Sequence, residues 1–374
     1  VNVKKYAMTL LQVKNKTNFF VIGVMSGTSL DGIDLCYVHF EYVSSWKFHI
    51  IDAQTIGYSE YWQDRLRTGI ALSSSKLVQL NNDYTQLLSE VISTFIKKKP
   101  EAPIDAVCSH GHTVFHQPNK GKTLQIGNLP EIANYLNQTV VCDFRTQDVT
   151  LGGQGAPLVP IGDALLFSNY DYCINLGGFA NLSFEQGNKR IAFDICPVNI
   201  VLNYYVNPLG LSYDSEGRIA SKGTICLPLL NDLNALGFYA SHPPKSLGLE
   251  WVQEHIIPLI DSYEIELEEI MRTVVEHCAF QISSVLKENN LKKGLHTGGG
   301  VYNNFLMQRI ASLSLHELTL ADPMIIEFKE ALIFGFLGVL RLKELPNCLQ
   351  SVTGASQDHC SGRVYLPNNN IKSF

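Results

Sequence analysis

The stretch Val21-Ile-Gly-Val-Met-Ser-Gly-Thr-Ser-Leu-Asp-Gly-Ile-Asp34 decides the fold. Residues 19–25 are an unbroken apolar run, the pattern of a strand buried on both faces. Residues 26–32 are small and polar, as a turn requires. From 33 to 40 the chain alternates, with Ile33, Leu35, Tyr37 and His39 on one side. Residues 18–42 therefore read as a hairpin. The scheme restarts with a strand at 173–176, a turn at Gly177 and Gly178, and strands at 179–184 and 190–194. A short strand at 294–297 then meets Gly298, Gly299 and Gly300, followed by a helix over 303–313. Helical spacing marks 63–98 and 264–287, and 105–108 reads as a short strand leading into Ser109-His110-Gly111. Two halves, each opening strand, Gly-rich turn, strand, predict a duplicated α/β core with lobes around a cleft. The boundary is placed in the Gly-rich segment 146–155. This gives an N-terminal lobe at 1–147, a C-terminal lobe at 148–349, and a segment from about 350 to 374 packing back on the first.

Composition narrows the classes. The chain has 374 residues, 45% hydrophobic and only 17% charged, with a formal net charge of −6. That balance excludes intrinsic disorder and gives no basic footprint for nucleic acid. No stretch reaches the ~20 apolar residues of a membrane helix; the longest run, 331–340, is interrupted by two glycines. Nine cysteines are scattered singly, without a C-x-x-C pair, which reads as reduced, mostly buried thiols in a cytoplasm.

The nucleotide motifs with a fixed spelling are missing. A P-loop would need Gly at His116, ahead of Gly121-Lys122-Thr123, and no G-x-G-x-x-G follows a strand. A different phosphate device remains. Hairpin turns of Gly, Ser and Thr present successive backbone N–H groups, and absent side chains let phosphate oxygens approach. Residues 26–29, 176–179 and 297–300 have this make-up; singly, each reads as ordinary turn geometry. Among carboxylates, Asp31 and Asp34 flank the first turn, Asp143 and Asp148 bracket Phe144 and Arg145, and Asp194 ends a strand. Such groups serve as general bases, hold Mg²⁺ through water, or simply cap loops. His110, His112 and His116 lack the partners of a zinc site, and no G-x-S-x-G elbow supports a hydrolase.

The opening stretch closely resembles the signature of the anhydro-N-acetylmuramic acid kinases. Further blocks look like the family's in the same order: Ser109-His-Gly-His-Thr113, Leu124-Gln-Ile-Gly-Asn128, Asp143-Phe-Arg145 with Asp148, and Gly152-Gly-Gln-Gly-Ala-Pro-Leu-Val-Pro160. So do Asn175-Leu-Gly-Gly-Phe179 with Asn181, Pro243-Pro-Lys-Ser246, Gly298-Gly-Gly300 with Asn303, Glu330, and Val352-Thr-Gly-Ala355. The resemblance covers about 21–367. It implies an actin-like ATPase (ribonuclease H-like) fold of the sugar kinase superfamily, with two duplicated lobes around a nucleotide cleft. It also implies a cytoplasmic, dimeric enzyme of peptidoglycan recycling, with no nucleic-acid or membrane partner. The implied reaction takes 1,6-anhydro-N-acetylmuramic acid, ATP with Mg²⁺, and water to N-acetylmuramic acid 6-phosphate and ADP.

By the same resemblance, Asp194 is the catalytic base. Gly27, Thr28, Ser29, Leu30, Asp31, Gly32, Ile33 and Asp34 match the segment wrapping the phosphates. Gly177 and Gly178 match the second phosphate turn, and Gly298, Gly299, Gly300 and Asn303 the nucleoside turn. Thr113, Arg145 and Glu330 are the substrate candidates, and Asp31 is placed to meet Mg²⁺ through water. Two blocks depart from the pattern. Cys196 and Val198 stand where glycines are expected beside the base, and Leu247 and Leu249 replace a Thr and an Arg. The alternatives are a kinase of this fold acting on another amino sugar or hexose, and a non-catalytic ATP-dependent sensor.

Overall fold

The structure, a computed structural model, describes residues 15–27, 29–98, 102–314 and 318–367. It forms two compact units. One ends at Leu166 and resumes at Phe328; the other spans Phe167–Glu327. The first division thus falls after the Gly-rich 146–155 segment rather than within it, and the second before residue 349. The cause is local. The Asp148 carboxylate accepts the Gly155 N–H at 2.6 Å and the Thr353 hydroxyl at 2.7 Å, which ties that segment into the first unit.

In the first unit, β1 (Asn18–Ser26), β2 (Gly32–Tyr42) and β3 (Trp46–Gly57) form an antiparallel meander. β4 (Ala106–Gln117) runs parallel to β1, and β6 (Val140–Cys142) parallel to β4. β12 (Arg363–Tyr365) closes that edge, while β5 (Lys122–Ile126) pairs with the end of β4. The order is β12-β6-β4-β1-β2-β3. The strand read at 105–108 therefore runs on through the His-containing block to Gln117.

Two helices cover the sheet. Helix α1 (Ser74–Lys97) places Leu80, Tyr84, Leu88, Ile92 and Phe95 against Ile22, Val24, Leu35 and Val107. Each such buried side chain contributes roughly 1.5–3 kcal/mol. The helix read over 63–98 is interrupted: a short helix (Glu60–Arg67) and a 3₁₀ turn (Gly69–Ala71) precede α1, whose N-cap is Ser73. Helix α5 (Pro323–Leu342) contains the apolar 331–340 run, and its glycines explain its fit. A Cβ on Gly23 of β1 would lie 1.9 Å from the Ala331 carbonyl oxygen, and one on Gly338 would lie 2.1 Å from Cys108 Sγ. Backbone meets backbone there, and no helix among the described residues is long and apolar enough to cross a membrane.

The second unit repeats the plan. β7 (Tyr172–Leu176), β8 (Phe179–Gln186) and β9 (Lys189–Pro197) are antiparallel neighbours. After α2 (Asn199–Val206) and α3 (Leu267–Glu288), β10 (Gly294–Thr297) joins parallel to β7. Helix α4 (Asn304–Ser314) then leads to β11 (Thr319–Leu320), parallel to β10. The order β11-β10-β7-β8-β9 matches β6-β4-β1-β2-β3 strand for strand and direction for direction. The duplicated α/β core expected from the sequence is present. All nine cysteines are free thiols, most of them buried.

Candidate active site

Asp194 lies where β9 breaks register. Asn181 pairs with Asp194 and Ala180 with Cys196, so Ile195 is an extra residue, a β-bulge that re-aims its neighbour. The Asn181 side-chain N–H donates to Asp194 Oδ1. The backbone N–H of Leu247 donates to Oδ2 at 2.7 Å, and the Asp194 N–H donates to the Lys245 carbonyl at 3.2 Å. Desolvation raises the Asp194 carboxyl above its ordinary value, and the Leu247 and Asn181 donors pull the other way. The outcome is an oriented carboxylate more basic than a solvated Asp.

Four departures lie in the segments around this carboxylate. Neither Cys196 nor Val198 takes a positive φ, and both are fully buried. Leu247 meets Asp194 through its backbone, so exchanging its side chain leaves that hydrogen bond in place. Leu249 opens a short helix (Leu249–Trp251) with its side chain exposed.

The two glycine turns of this unit lie together. The Gly178 carbonyl accepts the N–H groups of Val198 at 2.8 Å and Ile200 at 3.2 Å, and Gly177 accepts that of Asn199 at 3.3 Å. These bonds fix the turn to the start of α2. Gly298, at φ +84°, passes so close to β7 that a Cβ would lie 2.6 Å from Asn175 Oδ1; one on Gly300 would lie 2.7 Å from the Leu176 oxygen. Gly299 faces open space, where a Cβ would meet nothing within 4 Å. Asn175 donates to Asn181 at 3.4 Å, which links the turns to the Asp194 carboxylate. Asn303 plays a structural part, because its Oδ1 accepts the Leu306 N–H at 3.0 Å and caps α4.

In the first unit, Thr28 lies outside the described residues. Gly27 is half-buried, Ser29 and Asp31 are exposed, and Leu30 takes φ +63°. Gly32 and Ile33 are buried. Asp34 accepts the Thr55 hydroxyl at 2.6 Å.

Behind this turn is a neutral histidine network. Ser26 Oγ bonds His112 Nδ1 at 2.9 Å and the Tyr58 hydroxyl at 2.6 Å, and Tyr58 bonds Tyr84 at 2.6 Å. Burial pushes His112 down to about 4. His110 donates from Nδ1 to the Gly111 carbonyl at 2.9 Å and accepts Arg145 Nε–H on Nε2 at 2.8 Å. Burial, then the Arg145 charge, hold it far below the usual range, so it acts as an acceptor that aims the guanidinium. Arg145 also donates from Nη1 to the Gly155 carbonyl at 2.7 Å.

Glu330 reaches solvent, yet desolvation raises its carboxyl, against the pull of Arg145; Asp34 adds a like charge. Arg145, Glu330 and Asp34 thus share one electrostatic neighbourhood. Thr113 accepts a hydrogen bond from Gln125 at 3.3 Å. Asp143 is spent on Thr146 and Arg363, and Asp148 on Gly155 and Thr353. Among the described residues, His110, His112 and His116 do not converge as metal ligands. Sequence reasoning gave no role to Asn181, the Leu247 N–H or His110; only the Asn175–Asn181 spacing within a quoted block pointed toward one of them.

A sequence model for anhydro-N-acetylmuramic acid kinase matches residues 19–367. The chain is 33% identical over 375 residues to the protein of that name from Pseudomonas syringae pv. syringae, covering 93% of this chain and 99% of that one. It is 31% identical to the protein of the same name from Haemophilus influenzae, over 92% of this chain and 97% of that one. Among solved structures, xylulose kinase from Rhodospirillum rubrum aligns over 94% of either chain, with a TM-score of 0.45 and 10% identity.

Proposed function

The chain belongs to the anhydro-N-acetylmuramic acid kinase family, and from that premise we propose that it converts 1,6-anhydro-N-acetylmuramic acid, ATP and water to N-acetylmuramic acid 6-phosphate and ADP. The observation that carries the reading is the Asp194 carboxylate, oriented by Asn181 and Leu247 and made more basic by desolvation.

The proposed chemistry changes two bonds. Water attacks C1 of the sugar while Asp194 takes its proton. The C1–O6 bond breaks, and O6 accepts the γ-phosphoryl group as ADP departs. An acetal carbon with oxocarbenium character accepts weakly activated water, so a carboxylate base suffices. Phosphoryl transfer depends on alignment and charge neutralisation more than on covalent help.

Gly177, Gly178 and Gly298–Gly300 are the proposed seats of phosphate and nucleoside, with open space at Gly299 supporting the second role. In the first unit, Gly27, Ser29 and neighbouring backbone N–H groups are proposed phosphate contacts. Arg145 and Glu330, with Thr113, are the proposed sugar contacts, Arg145 being suited to a carboxylate. Mg²⁺ fits as a companion of the nucleotide. Among the described residues no set of three oxygen donors converges, and Mg²⁺ ordinarily keeps its waters and takes one or two carboxylates plus phosphate. Asp31 and Asp34 are the carboxylates proposed to meet it; bound there, the ion neutralises phosphate charge.

Incubation with ATP, magnesium and the anhydro sugar in ¹⁸O-water tests the reading. The expected products are ADP and a 6-phosphosugar carrying ¹⁸O at C1 and none in the phosphate. No phosphosugar under conditions where ATP binds overturns it.

A further inference from the structure

Beside Arg145, three buried side chains of the first unit converge with no role assigned in that chemistry. Asp148, Cys348 and His359 are 0%, 2% and 5% exposed, and their ligand atoms all lie within 4.8 Å of one another.

The histidine is the informative member. His359 Nδ1 approaches the Gln357 carbonyl at 3.1 Å, and a carbonyl only accepts, so Nδ1 carries the proton. Nε2 then presents its lone pair. It has no hydrogen-bond partner, and it faces Asp148 Oδ1 at 3.5 Å. Two ligands about 2.0–2.2 Å from a tetrahedral Zn²⁺ are roughly 3.4 Å apart. The observed separation has the spacing of metal ligands.

The surroundings are built to hold such a set. Cys348 and His359 face each other across an antiparallel bridge, exchanging N–H to carbonyl bonds of 3.1 Å in both directions. Asp148 is oriented by the Gly155 N–H and the Thr353 hydroxyl. The carbonyl on His359 Nδ1 is the partner that commonly orients a metal-bound imidazole. We propose that Asp148, Cys348 and His359 bind one Zn²⁺ ion.

Thiol, imidazole and carboxylate suit zinc, whereas Mg²⁺ has little affinity for sulfur, so this ion is distinct from one travelling with the nucleotide. Binding releases the Cys348 proton to solvent and leaves the thiolate on the metal. The ion would pin the 347–361 segment to the short helix (Thr146–Thr150) that follows Arg145. Its role is structural, and it does not depend on the proposed reaction.

The full chain, stripped with a chelator and titrated with Zn²⁺, tests this. The expected result is one zinc per chain by metal analysis and a rise in Tm of several degrees. Cys348→Ser and His359→Gln are expected to lower zinc affinity about tenfold to a hundredfold and to abolish the Tm rise. Absence of saturable zinc binding, or binding unchanged in both variants, overturns the site. Should the variants misfold, Co²⁺ replaces Zn²⁺ in the parent chain. Tetrahedral d–d bands with thiolate charge transfer support the site, and their absence overturns it.

Discussion

The two units repeat one strand order, yet they treat the hairpin turn at its start differently. Between β1 and β2 the turn is long, uses φ +63° at Leu30, and leaves Ser29 and Asp31 exposed. Between β7 and β8 it is two glycines whose carbonyls are tied to the start of α2. The larger contrast is in what stands beside the turns. The first unit offers neutral histidines that aim an arginine; the second offers a carboxylate held by a bulge and a loop. Duplication supplies the frame, while the chemistry comes from the departures that the copies do not share.

The sharpest way to break this contrast is at Asp194. Asp194→Asn is expected to lower turnover by about 10²–10⁴, the usual worth of a positioned general base, with ATP affinity unchanged. Phosphosugar formation gives the first quantity and nucleotide titration the second. An active variant would leave the second unit with a binding role only.

Arg145→Lys probes the other side. The guanidinium serves His110 and Gly155 at once, and an ammonium cannot reproduce that fork. Loss of one charge-assisted bond costs about 1.5–3 kcal/mol, so KM for the sugar is expected to rise about tenfold or more, with a smaller change in kcat. A fall in kcat with KM unchanged would move Arg145 from sugar binding to the chemical step.

How much of this was legible in the sequence depends on whether the signal was local. The 294–297 strand and the paired strands around Gly177 and Gly178 were read because short strand-like stretches met glycine turns. β3 went unread because it forms one end of the strand order and mixes Lys47, His49 and Asp52 into its alternation. The strand read at 105–108 stopped short of the His-containing block, yet the strand runs through it to Gln117, its histidines buried or half-buried. The unit boundary depended on Asp148 reaching Thr353, a partner some two hundred residues away, which no local pattern reveals. The Leu247 donor was illegible for another reason: a backbone N–H has no letter of its own.

A smaller effect separates the glycines of the two turns. A Cβ on Gly32 would lie 2.5 Å from the Ile56 carbonyl oxygen, whereas one on Gly178 meets nothing closer than Ile200 Cβ at 3.7 Å. Gly32→Ala is therefore expected to cost about 1–3 kcal/mol, and Gly178→Ala less than about 0.5 kcal/mol. Thermal unfolding of the two variants side by side checks this. Equal losses would mean that the second turn is as sterically closed as the first.

The finest test concerns the acid limb of the pH–rate profile. As the proposed base, Asp194 would work only when ionised, so activity is expected to rise with pH through its pKa. Because desolvation raises that value, the limb is expected above the range of a solvated aspartate. Asn181 donates to the charged form and so lowers the value. Asn181→Ala removes the donor, raises the carboxyl further, and is expected to move the limb to higher pH. The plateau at high pH is then expected to stay within about threefold of the parent, since the Leu247 N–H still orients Oδ2. A limb that stays in place while the plateau falls would assign Asn181 to positioning substrate, and the basicity of Asp194 to burial alone.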